Sequence, residues 1–224
     1  MTTDPLVPLS PAATPTEATY VSLDSAFVHF DSQLFDGELR GAALITLQRQ
    51  PGSHGFFSAA KFIDRTGGES PVDEIGLNPA GFRDRSDEEI LATLAHEMCH
   101  LWQRRCGHPG RGGHHNREWA DKMQELGLVP TTTGEIGGRQ TGDRVTHVIV
   151  RGGPFDRACQ EILADGRRIV RFEDRTDERS ERIRQAKAAS HTTFICPACR
   201  QKVRGRPSTF VNCGHCKVKL TAKA

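Results

Sequence analysis

The spacing of apolar positions changes several times along this chain, and each change marks a new element. Tyr20, Leu23, Phe27, Phe30 and Leu34 recur at helical intervals. Thr14-Pro15-Thr16-Glu17 stands just ahead of them: Thr14 can cap, Pro15 suits the first helical position, and Glu17 completes a capping box. A helix from Thr14 to about Phe35, closed before Gly37, follows. Three short β-type runs come next, Ala43 to Gln48, Gly55 to Ile63 (with Phe56, Phe57 and Phe62) and Glu74 to Leu77. Gly52, Gly67-Gly68, Pro71 and Asn78-Pro79 punctuate them.

Ser86-Asp87-Glu88-Glu89 is a second capping box and opens the best helix in the chain. Leu91, Leu94, Ala95, Met98, Leu101 and Trp102 form its apolar face, to about Arg105. A Gly-rich loop, Gly107 to Gly113, leads to another helix starting at His115 or Asn116, with Trp119, Met123 and Leu126 on one side and Gly127 and Pro130 at its end. Thr131 to Gly142 is polar. Val145 to Val150 reads as a strand, Phe155 to Ala164 as a short helix, Arg168 to Phe172 as a strand, and Asp174 to Ser190 as an exposed helix or charged linker. The order predicts an α+β fold with helices packed on a short three-stranded sheet. The expected organisation is a disordered leader over 1–13, a main domain over 14–130, an α/β extension and linker over 131–190, and a small module over 191–224.

The capped helix carries the chemistry. His96-Glu97-Met98-Cys99-His100 is an H-E-x-x-H motif. Residues four apart share a helix face, so both imidazoles can reach one cation at about 2.0–2.1 Å. Glu97 lies about 100° round the helix, offset from the metal yet near a water upon it. Zinc acidifies such a water, and a neighbouring carboxylate can take its proton. A catalytic zinc wants a third protein ligand and an open position. His108, His114 and His115 are the candidates. A ligand at a helix start is better held than one in mid-loop, which favours His114 or His115; spacing does not choose between them. Cys99 reads as a small packing residue rather than a redox thiol. Tyr20, the only tyrosine, sits in the first helix stripe and is not placed to stabilise an oxyanion.

Seven cysteines are present, an odd number that argues against a disulfide framework. Four of them form Cys196-Pro197-Ala198-Cys199 and Cys213-Gly214-His215-Cys216, a C-x2-C-x13-C-x2-C spacing that signals a zinc ribbon. A hairpin that includes Thr209 to Val211 is expected between the pairs. A segment of roughly 30 residues buries too little to fold without a staple, so the metal supplies folding energy, and four thiolates close the site. Two zinc ions are therefore expected, one catalytic and one structural. The net charge is +2 overall, but residues 191 to 224 hold seven Lys and Arg and no acid, leaving −5 for residues 1 to 190. Arg200, Lys202, Arg204, Arg206, Lys217 and Lys219 are the candidate nucleic-acid contacts, through phosphates.

These residues resemble the SprT-like (Spartan-type) zinc metallopeptidase family. His96 to His100 followed by Leu101-Trp102 looks like that family's active-site helix. The family then has a third histidine opening a helix in a pattern like H-G-x-x-[F/W]. His115-Asn116-Arg117-Glu118-Trp119 fits that frame, with Asn116 in place of the usual Gly, which implies His115 as the third ligand. Leu34-Phe35-Asp36-Gly37-Glu38-Leu39 resembles the family's segment between first helix and first strand, and the cysteine module its zinc ribbon. The match covers about 17 to 127 and 191 to 217. Thr146-His147-Val148-Ile149 and Gly153-Pro154-Phe155 look like a subgroup carried on bacterial mobile elements. The resemblance implies a zincin-like fold and proteolysis, in Spartan directed at proteins on DNA.

Set against this enzyme reading is a catalytically inactive zinc-containing module that binds nucleic acid or protein; Glu97 argues against it, since a structural site needs no general base. A third reading keeps the hydrolase and changes the substrate to another amide. The longest apolar run, Ala42 to Ile45, is far below the ~20 residues of a bilayer span, and Met1 to Ala18 lacks a secretory pattern. No membrane partner is expected, and the expected compartment is the cytoplasm, with nucleoid association if DNA is a partner.

Overall fold

The computed structural model describes residues 14–67, 70–164, 172, 182–183, 186 and 189–222. It is a mixed α+β fold. The chain divides into two compact units, Met1–Asp174 and Arg175–Ala224. No helix among the described residues is long and apolar enough to cross a membrane.

In the first unit, helix α1 spans Pro15–Leu34, with Thr14 accepting the Glu17 N–H at 3.2 Å. Its inward face is Leu23, Ala26, Phe27, Phe30 and Leu34. Tyr20, assigned to that stripe from the sequence, is 41% exposed. The buried stripe enters the first turn through Ala18 and continues to Ser22 and Leu23, which leaves Tyr20 outside it.

Strands β1 (Ala43–Leu47), β2 (Gly55–Phe62) and β3 (Val72–Leu77) form the expected three-stranded sheet. Its order is β1-β3-β2, with β1 parallel and β2 antiparallel to β3. β2 is therefore an edge strand. It bulges between Ser58 and Phe62, where Ala60 adopts a positive φ of 51° and its N–H donates to buried Asp73 Oδ1 at 2.6 Å. Asn78 ties the end of β3 to the preceding turn, its amide donating to the carbonyls of Gln50 and Ser53, both at 2.7 Å.

Helix α2 (Asp87–Cys106) packs across this sheet. The capping box is complete: Ser86 Oγ accepts the Glu89 N–H and Glu89 accepts the Ser86 N–H. Ile90, Leu91, Leu94, Ala95, Met98 and Leu101 are buried in one cluster with α1, β3 and helix α3 (Arg117–Glu125).

After α3 the chain turns at Gly127, whose φ of 81° suits glycine, into strand β4 (Leu128–Thr131), which the sequence pattern does not reveal. Pro130, read as a helix stop, lies inside β4; having no N–H, it belongs on such an outer strand. β4 pairs antiparallel with β5 (Thr146–Ile149). Helix α4 (Pro154–Leu163) then packs on α1 and adds Phe155, Ala158, Cys159 and Ile162 to the same core. Arg151 bridges Glu88 at the start of α2 and Asp156 at the start of α4. The strand expected at Arg168 to Phe172 and most of the charged stretch 174–190 lie outside the described residues.

The second unit holds strands β6 (Thr192–Ile195), β7 (Lys202–Gly205) and β8 (Thr221–Ala222), in the order β7-β6-β8. The hairpin thus wraps the first cysteine pair. Thr209 to Val211, expected in a hairpin, is not strand; it lies between the hairpin and the second cysteine pair, and Val211 accepts a single bond from the Leu220 N–H.

Candidate metal centres

Three histidines converge in the first unit. Ligand atoms of His96, His100 and His115 lie within 4.8 Å of one another. His96 and His100 come from one face of α2. His115 arrives from the residue before the α3 cap, Asn116, whose side chain accepts the Trp119 N–H at 3.0 Å. His115 Nδ1 faces the Gly142 carbonyl at 2.9 Å; a carbonyl only accepts, so Nδ1 carries the proton and Nε2 offers its lone pair. That Nε2 stands 3.3 Å from His96 Nε2. Two ligands at about 2.0–2.1 Å from a tetrahedral zinc are separated by about 3.3–3.4 Å, so the donors sit as such an ion requires.

The other two candidates turn elsewhere. His114 Nδ1 meets Asp143 at 2.8 Å, and exposed His108 is held by Glu118, which accepts the His108 N–H at 2.7 Å. Beneath the three rings lies Trp119, fully buried, with centroids 4.3 Å from His115, 4.8 Å from His96 and 5.1 Å from His100. Its indole N–H has no partner among the described residues. Cys99 is fully buried, its thiol on the Trp119 carbonyl at 3.7 Å, which is a packing role.

Glu97 is buried on the adjoining face of α2 and hydrogen-bonds to none of the described residues. Burial pushes its carboxyl up to about 8. Burial also drives His96 and His115 down and holds His100 at about 3, with neighbouring imidazoles adding to the effect. The imidazoles are therefore neutral at neutral pH, with lone pairs free for a cation, and a cation there would draw Glu97 back toward its charged form. The carboxyl faces edge strand β2. At Gly55 a Cβ would stand 2.7 Å from Thr93 Cγ2 and 3.0 Å from Glu97 Oε1, so only glycine lets β2 pass this close.

These groups line a cleft of about 670 Å³, whose walls are the 51–57 segment of β2 and its turn, α2, and residues 143–147 leading into β5. Two contributors escape sequence reasoning. Gly55 is one. His147 is the other: it is half-buried in the wall with Nδ1 3.2 Å from His96 Nδ1, and desolvation, then Arg85 and His54, holds it down to about 4. His147 sits 51 residues from His96, and no local pattern links them.

In the second unit the sulfurs of Cys196, Cys199, Cys213 and Cys216 also lie within 4.8 Å of one another. The two pairs fold alike. Cys199 N–H points at Cys196 Sγ and Cys216 N–H at Cys213 Sγ, at 3.5 and 3.3 Å. Arg200 and Lys217, each just after its pair, take positive φ of 63° and 56° and donate back to the carbonyls of Cys196 and Cys213. Cys199 and Cys213 sulfurs are 3.7 Å apart, against about 3.8 Å for two thiolates on a tetrahedral zinc at about 2.3 Å. The Cys199 N–H lowers Cys196 to about 7, which favours a thiolate there. The cluster fits a zinc ribbon. Arg200, Lys202, Arg204, Arg206, Lys217 and Lys219 are all exposed, and Phe210, 84% exposed, lies 4.8 Å beneath the Lys219 ammonium.

Three imidazoles on a capped helix and the next helix start, over a cleft with a neighbouring carboxyl, form a candidate metal site. The SprT-like family matches residues 23–136, half the chain, and the chain belongs to that family. A relative from Salmonella typhimurium, described as an uncharacterized protein in the mucB 3' region, is 43% identical over 61 residues, covering 27% of this chain and 80% of the relative. Membership supports a metallopeptidase-type domain.

Proposed function

We propose that this chain is a zinc-dependent endopeptidase of SprT type acting on DNA-associated proteins, with His96, His100 and His115 as ligands and Glu97 as general base. One observation carries the reading: a buried carboxyl without a partner among the described residues stands beside three converging imidazoles in an open cleft. A purely structural site gives Glu97 no task. Held there, zinc supplies the Lewis acidity of amide hydrolysis. Glu97 takes a proton from the attacking water on a carboxylate oxygen and delivers it to the departing amine. Edge strand β2 offers backbone groups along the cleft on which an extended peptide can pair. Gly55 keeps that edge within reach of Glu97. The ribbon supports the second half of the reading, since six exposed cations with no acid in 191–224 suit phosphates.

The test is cleavage of a DNA-binding protein by wild type and Glu97→Gln, with and without single-stranded DNA, zinc being counted in both. The variant is expected to keep two zinc ions and lose about 10²–10⁴-fold in rate. DNA is expected to stimulate the wild type, less so as salt rises. If neither protein cleaves under any condition while both hold two zinc ions, the inactive binding-module reading replaces this one.

A further inference from the structure

We propose that His147, on β5 and beyond the family-matched segment, is a positioning residue for the metal: it accepts a hydrogen bond from His96 Nδ1 and so turns the His96 Nε2 lone pair into the centre. The inference rests on the ligand assignment above and extends it to a residue of the β4–β5 hairpin.

A neutral imidazole has one proton and one lone pair on its two nitrogens. His96 Nε2 looks toward His115 Nε2 at 3.3 Å, the span of two ligands on one ion. His96 Nδ1 looks the opposite way, to His147 Nδ1 at 3.2 Å, with the two rings tilted by 46° at 5.4 Å between centroids. One proton must sit between these Nδ1 atoms for a bond to form. With the proton on His96, its Nε2 is free to coordinate, and His147 carries its own proton on Nε2. With the proton on His147, His96 Nε2–H would aim at His115, and the centre would lose a donor. His147 thus does for His96 what the Gly142 carbonyl does for His115 at 2.9 Å. Both partners come from the same stretch, 142–147, so the hairpin orients two of the three imidazoles from behind.

The backbone holds His147 for this purpose. It pairs with Pro130 in the β4–β5 ladder, and β4 follows α3 directly through Gly127. The hairpin is thereby fixed to the helix whose start delivers His115. Among the described residues His147 Nε2 has no hydrogen-bond partner, and the residue lines the cleft wall, so the ring is held from its Nδ1 side.

The experiment uses the full chain. Zinc affinity is measured by competition with a chromophoric chelator, and the visible spectrum of the cobalt-substituted protein is recorded, for wild type, His147→Leu, His147→Asn and His100→Ala. Asn places an oxygen acceptor where Nδ1 lies; Leu removes it. Thermal unfolding of the metal-free proteins checks that each variant folds. His147→Leu is expected to weaken the histidine site about 10–100-fold and shift its cobalt bands, and His147→Asn to recover most of both. Unchanged affinity and spectrum in His147→Leu, or equal loss in Leu and Asn variants that both fold, overturns the role of His147 alone. If His100→Ala removes no metal from the chain, the ligand assignment falls, and this inference with it.

Discussion

The histidine site is carried by a fold, whereas the cysteine site carries one. His96 and His100 project from α2 and His115 stands just ahead of α3, and the other faces of these helices are buried among Leu94, Ala95, Met98, Leu101 and Met123, part of a core that also takes in α1, β3 and α4. In the ribbon, the buried cluster is Phe194 and Leu220 with Cys196 and Cys213 themselves. Full burial of one such side chain contributes about 1.5–3 kcal/mol, so two cannot offset the ordering of some 30 residues at about 1–2 kcal/mol each. The donor sets follow the same division. Three imidazoles leave a face open to a cleft; four thiolates leave none.

The largest expected effect separates the two regions outright. Stripping both metals with a strong chelator should unfold residues 192–222 while 15–163 stay folded, because binding energies of about 10–16 kcal/mol in zinc-finger peptides are folding energies. Amide exchange read along the chain checks this: fast exchange throughout β6–β8 with slow exchange retained in α1 and α2. Cys213→Ser should reproduce the pattern with zinc present. Joint loss of protection in both units would break the comparison.

A second prediction probes the fold beneath the histidines. Trp119 fills the space under all three rings, and Trp119→Ala should destabilise the first unit by about 3–5 kcal/mol, read by urea denaturation. Trp119→Phe should cost much less, since it keeps an aromatic floor and removes the indole N–H that has no partner among the described residues. The ribbon transition should not move in either variant. If it does, the two units share stability and the division above is wrong.

What the sequence reveals here is what is local. Ser86 to Glu89, the four-residue step from His96 to His100, and the two cysteine pairs each encode their geometry within a turn or two, and the helices and the three-stranded sheet were legible from period and punctuation. His115 could not be told from His114 by spacing; the helix frame around Trp119 singles it out through the family likeness, and the Gly142 carbonyl gives the physical reason. Gly55 and His147 were legible only as the start of a strand run and as part of a family-like segment, not as site residues. Their roles exist only once β2 and β5 are brought against α2, and neither residue type signals that in isolation. Tyr20 failed in the opposite way: it fits a helical period, yet a 20-residue helix has more apolar positions than its buried face can use. β4 was hidden by Pro130, which reads as a breaker but serves as an outer-strand residue.

The smallest effect tests how firmly the fold holds its site. Asn116, where the family resemblance has Gly, caps α3 and does more. Its Oδ1 accepts the Trp119 N–H and the buried Gln103 amide at 2.7 Å, while its Nδ2 donates to the His108 carbonyl at 2.9 Å. Asn116→Ala should destabilise the first unit by about 1 kcal/mol, the usual loss of a cap, and Asn116→Gly by only a few tenths, because Gly tolerates the cap backbone and lets water reach the freed N–H groups. Urea midpoints at constant slope measure both. The zinc affinity of the histidine site should barely change in Asn116→Gly, since His115 remains fixed by Gly142 on its ring and by paired backbone bonds to the same residue, each at 3.0 Å. A tenfold loss of zinc in Asn116→Gly would mean that the cap, rather than the hairpin behind it, positions the third ligand.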